Sequence, residues 1–119
     1  MSFLVTVTEY LLFYEQPLVV TAVGGDGRIL LGLSYGDDAA DDQQQFAFVQ
    51  VDRLTLNEFV LGRLDLLTAL TERRTGLVFI GRAYGAPGEK VACQARESVP
   101  TEALPKSGMF LSAREAAAA

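Results

Sequence analysis

Apolar and polar positions along this chain follow a period of two almost throughout, and change to a helical period only once. Phe3-Leu4-Val5-Thr6-Val7-Thr8 alternates and is rich in β-branched residues, which predicts a strand. Glu9 to Tyr14 continues in apolar and aromatic residues until Pro17, which is expected to interrupt pairing because it has no N–H to give a ladder. Leu18 to Val23 predicts another strand, Gly24-Gly25-Asp26-Gly27 a hairpin turn, and Arg28 to Tyr35 the return strand. Ile29, Leu31, Leu33 and Tyr35 share one face of that return strand. Gly32, on the other face, marks a close approach or a bulge. From Gln45 to Val51 both faces are apolar, Phe46 and Phe48 on one and Ala47, Val49 and Val51 on the other, as in a central strand covered on both sides. A second hairpin is predicted from Leu77–Gly81 and Lys90–Ser98, joined by the Gly- and Pro-rich Ala83–Glu89.

The helical interlude is Val51 to Leu70. Thr55 and Glu58 have capping-box spacing, and Leu54 and Phe59 have that of a hydrophobic staple. Leu56, Phe59 and Val60 form an apolar stripe, and Gly62 is placed to end the helix in the left-handed conformation. Asp65 is placed to cap a second short helix that turns Leu66, Leu67 and Leu70 inward, with Arg73 and Arg74 near its negative end. Val99 to Ser112, with Pro100, Pro105 and Gly108, reads as a coil anchored over the surface, and Ala113 to Ala119 as a flexible Ala-rich tail.

These elements predict one α+β domain over residues 1–112: a twisted antiparallel sheet of about five strands, with two short helices inserted between the third and fourth main strands. The competing architecture is a small half-open barrel of the SH3-like kind. The chain has 119 residues, half of them apolar, enough for a core without disulfides or metal.

Charge changes the picture. Residues 1–52 hold eight acids against Arg28, whereas residues 53–119 hold seven acids against nine bases. The net charge of −5 disfavours nucleic acid as a partner, and the imbalance favours self-association or a basic protein partner. A single cysteine suits a reducing, cytoplasmic compartment. No signal peptide and no membrane span are expected.

Candidate chemistry is sparse. The absence of histidine removes Ser-His-Asp and Cys-His catalysis and His-ligated metal, and no cofactor is expected. Cys93 falls on the apolar face of its strand, where a thiol is inert. The acidic run Asp37, Asp38, Asp41 and Asp42 lacks the ligand spacing of a calcium loop and reads as a solvated loop. Gly24–Gly27 is followed by a strand rather than by Lys-Ser/Thr and a helix, so it is a turn and not a phosphate loop. Arg63, Arg73 and Arg74 flank the helices and are candidate contacts for an anion. Tyr10, Tyr14 and Tyr35 are candidate interface anchors.

Three segments carry a resemblance: Leu12-Phe13-Tyr14-Glu15-Gln16-Pro17-Leu18, Gly62-Arg63-Leu64-Asp65-Leu66, and Leu104-Pro105-Lys106-Ser107-Gly108-Met109-Phe110-Leu111. In this order the chain resembles a family of short bacterial domains of unknown function. The resemblance implies an α+β accessory or standalone module of bacteria and their mobile elements, and it supplies no catalytic residues. The function expected from all of this is a non-enzymatic interaction or assembly module, in a homo-oligomer or a larger complex. A sensor for a small anionic metabolite is the alternative. An enzyme working through carboxylates alone, such as Glu9 with Glu58 or Asp65, stands third.

Overall fold

The computed structural model describes residues 3–14, 16–37 and 43–111. Its strands are β1 (Phe3–Tyr14), β2 (Gln16–Gly24), β3 (Ile29–Asp37), β4 (Gln44–Gln50), β5 (Val78–Ala83) and β6 (Lys90–Arg96). Helices α1 (Arg53–Val60) and α2 (Leu66–Leu70) follow β4, and one turn of 3₁₀ helix covers Thr101–Ala103. Each strand pairs antiparallel with the next. β6 returns to β1 through Phe3↔Cys93 and Thr6↔Lys90, so the sheet closes into a six-stranded barrel. The antiparallel sheet with two helices is as expected from the sequence. The closure corresponds to the barrel alternative, and the helices follow the Gln44–Gln50 strand and precede the Val78–Ala83 strand as expected, which makes them lie between the fourth and fifth of six strands.

Pro17 does not interrupt the first hairpin; it pairs with Phe13 near the start of β2. Among the described residues the β2–β3 pairs begin at Val19, and a proline near the start of a strand is the placement that costs a ladder least. Register shifts between Val7 and Phe13 lie along β1. Such irregularities increase the local twist that a small barrel needs in order to close.

Strand alternation builds two cores. Val5, Val20, Leu30, Phe46, Phe48, Phe79, Val91 and Cys93 fill the barrel interior. The intervening residues Leu31, Leu33, Ala47, Val49 and Val78 face outward, and are covered by Phe59 of α1, Leu66 and Leu70 of α2, and Ala103 and Leu111 of the C-terminal segment. β4 is thus apolar on both faces because it lies between two cores. The Phe46 and Phe48 rings are 5.6 Å apart and stacked within 18°. Each such ring, fully buried, stabilises the fold by roughly 2–3 kcal/mol. The space for Phe48 comes from Gly32, where a Cβ would lie 2.8 Å from two Phe48 ring carbons.

At the β5–β6 turn the Glu89 carboxylate accepts from the backbone N–H groups of Tyr84, Gly85 and Ala86. The turn carries its own anion for its exposed donors.

Candidate functional site

The helical insert is a sequence of specific terminators. Asp52 caps α1, its Oδ1 accepting the Thr55 N–H at 2.7 Å. This corrects the expected cap: Thr55 is the third helical residue, not the cap, and Leu54 is exposed rather than stapled. Asp52 prevails because an ionised carboxylate is a stronger acceptor for the orphan N–H groups than a hydroxyl. Val51 and Leu56 take the staple positions instead, and both join the outer core. Glu58, freed from a capping role, lies 3.9 Å from Arg63.

α1 ends as expected at Gly62, whose φ is +75°. The Gly62 N–H donates to the Phe59 carbonyl and the Arg63 N–H to the Glu58 carbonyl, a complete Schellman arrangement. Asp65 then caps α2, with Oδ1 accepting the Thr68 N–H and Oδ2 the Gly108 N–H. The Leu66 N–H donates to the Met109 carbonyl at 2.9 Å. A Cβ on Gly62 would lie 2.6 Å from the Leu111 carbonyl oxygen. The α1–α2 corner therefore holds the segment Gly108–Leu111 as a strap at three points.

Beneath the strap is an apolar cavity of about 200 Å³ with a floor of Leu12, Val19, Phe59 and Leu66. Leu111 is buried, but Met109 and Phe110 on the strap are 43% and 54% exposed, and Leu61, next to Gly62, is 61% exposed. Leu12, the Gly62–Leu66 corner and the strap come from three segments far apart in the sequence. What sequence reading missed is that they meet at one place. The available signal was the placement of Asp65 and Gly108 in two of those segments.

The residues singled out from sequence are dispersed. Tyr10 is half-buried and packs against the interior core. Tyr35 is half-buried against the outer core, and burial, with Glu102 nearby, pushes its hydroxyl pKa up. Tyr14 ends β1 opposite Gln16, and its side chain lies outside the described residues. Arg63 faces Glu58, and Arg73 is exposed. Arg74 donates through Nη1 to the Glu97 carbonyl at 2.5 Å and the Gly76 carbonyl at 3.3 Å. Asp37 ends β3 opposite Gln44, while Asp38, Asp41 and Asp42 lie outside the described residues. Among the carboxylates proposed for acid–base work, Glu9 is exposed on β1, Glu58 faces Arg63, and both oxygens of Asp65 are engaged. Cys93 is fully buried, and desolvation pushes its thiol up to about 12.

At one mouth of the barrel a second cavity, of about 340 Å³, is lined by Phe3, Val5, Leu30 and Phe79 with Asp26 and Arg28 at its edge. There Arg28 pairs with Asp26 at 2.6 Å and stands 5.9 Å over the Phe79 ring, so the two charges satisfy each other. Among the described residues no group of three or more His, Cys, Asp or Glu is placed to hold a metal ion, and no helix is long and apolar enough to cross a membrane. No family model, curated protein or solved structure matches the chain.

Proposed function

We propose that this protein is a non-enzymatic interaction module of a bacterial cytoplasm, and that it binds a protein, another subunit or a second copy of itself, through the strap face. The observation that carries this reading is the exposure of Leu61, Met109 and Phe110 around an apolar cavity on a backbone already fixed by Asp65, Gly62 and Leu66. Large apolar side chains on a rigid frame, beside a recess that can take a partner's side chain, are the ingredients of an interface hot spot. A pre-ordered frame lowers the entropy lost on association.

The test is native mass spectrometry of untagged protein from its own host, with Phe110→Ala and Met109→Ala beside the unmodified chain. Both side chains are exposed, so the variants are expected to fold. A hot-spot residue costs about 2 kcal/mol on truncation, roughly a thirtyfold loss of affinity. A dimer or a defined complex that dissociates in these variants supports the module. A complex whose mass and midpoint are unchanged in both removes the strap face from the reading, and a bare monomer removes the module.

A further inference from the structure

A third cavity borders the C-terminal end of α2. It has a volume of about 260 Å³ and is lined by Leu70, Thr71, Arg74, Ser98, Val99 and Leu104. Arg74 is half-buried at its wall and pairs with no carboxylate among the described residues. Both of its hydrogen bonds to carbonyls, those of Glu97 and Gly76, use Nη1. Those carbonyls hold the guanidinium without neutralising it. The edge formed by Nε and Nη2 is the fork that pairs the two oxygens of a carboxylate.

We propose that this cavity binds a small monocarboxylate, its head group on Arg74 with a hydrogen bond from the Ser98 hydroxyl, and its apolar body against Leu70, Val99 and Leu104. Thr71 contributes no proton, because its hydroxyl donates to the Leu67 carbonyl at 2.7 Å. The division of labour is that of small-ligand sites in general: apolar walls and a few fixed polar groups that set orientation. A tethered cation is a better anion contact than a free one, because its side-chain entropy is already lost. This site is independent of the strap face, so the failure of either reading leaves the other standing.

The experiment uses the full chain with benzoate, hexanoate and inorganic phosphate as probes, followed by methyl NMR and thermal unfolding. Benzoate or hexanoate is expected to shift the Leu70, Val99 and Leu104 methyl resonances and to raise Tm, as a ligand of the folded state must. Arg74→Lys is expected to bind at least about tenfold more weakly, since an ammonium cannot make the paired fork. Should Arg74→Lys unfold for want of its carbonyl tethers, Ser98→Ala keeps the test alive, with weaker binding expected and no change in Tm without ligand. Methyl resonances that stay still with both carboxylates overturn the proposal. A response to phosphate equal to that of the carboxylates also overturns it, because the apolar walls would then contribute nothing.

Discussion

Asp65 joins two parts of the chain: one carboxylate oxygen takes the Thr68 N–H at 3.2 Å, and the other takes the Gly108 N–H at 2.8 Å, from 43 residues further along. The Thr68 hydroxyl, the Gly108 N–H and the Thr68 N–H hold the Asp65 carboxyl below its ordinary 3.8. A depressed carboxyl pKa stabilises the fold above the unfolded value, and that stability is lost as pH falls through the folded value. Asp65→Asn keeps the shape and loses the second acceptor, so it is expected to unfold a few degrees lower at neutral pH. The gap from the unmodified chain should then close below pH 3.8, where the native carboxyl takes up its proton. Thermal unfolding of both proteins across that range checks it; a gap independent of pH would show that the carboxylate charge is not what holds the strap.

Gly62 is the second lock. Its φ of +75° is strained for any residue with a Cβ, and that Cβ would meet the Leu111 carbonyl oxygen at 2.6 Å. Gly62→Ala is expected to cost about 1–3 kcal/mol. Hydrogen exchange should show protection lost at the Leu66 N–H, which donates to the strap, ahead of any amide in β4. Equal loss in both places would mean that the corner and the barrel open together.

Thr55 offers the opposite sign. It is buried, and its Oγ1 has no hydrogen-bond partner among the described residues. The Thr55 N–H, not the hydroxyl, is what the Asp52 carboxylate accepts from, and that bond holds the carboxyl below its ordinary 3.8. Thr55→Val keeps the shape and removes the orphan group, so it is expected to stabilise by about 1 kcal/mol. Urea denaturation decides it: a lower midpoint at unchanged slope would assign the hydroxyl a partner.

Cys93 is fully buried, and its thiol is pushed up from 9.0 to about 12. Thiolate is the reactive form, so labelling by a thiol reagent at neutral pH is expected only at the rate of unfolding. The raised pKa also means that this group's contribution to stability, present below pH 9.0, falls away as pH rises toward 12. Cys93→Ala should flatten that alkaline slope. Rapid labelling of the native protein would contradict the packed interior.

How much of this was legible in the sequence follows the range of the interactions. Strand alternation, the Gly24–Gly27 turn, the Gly62 terminator and the Asp65 cap are local, and all were readable. So was the double-sided burial of β4, because Phe46 to Val49 is apolar at every position. Closure was not readable: it rests on β6 meeting β1, about ninety residues apart, and alternation is the same in an open sheet and a barrel. The α1 cap was misplaced because Asp52 and Thr55 both have cap chemistry at compatible spacing, and only the start of the helix decides between them. The strap cavity stayed hidden for the same reason as closure: Leu12, Leu66 and Phe110 become neighbours only in the fold.

Gly32 and Phe48 test the interior directly. They are register partners on β3 and β4, and a Cβ at Gly32 would lie 2.8 Å from the Phe48 ring and 2.9 Å from a Val20 methyl. The space is therefore shared: the ring occupies what a side chain at 32 would need. Gly32→Ala alone is expected to destabilise by about 1–3 kcal/mol through overpacking. Phe48→Leu alone leaves a void beside Gly32 and is expected to cost about 2 kcal/mol. Placed together, the added methyl fills part of the volume the ring gave up, so the pair should cost less than the sum of the two by about 1 kcal/mol or more. Denaturant midpoints for the three variants close the cycle. Strict additivity would mean that the two residues do not compete for one volume, and that the interior core accommodates the methyl by shifting β3 instead.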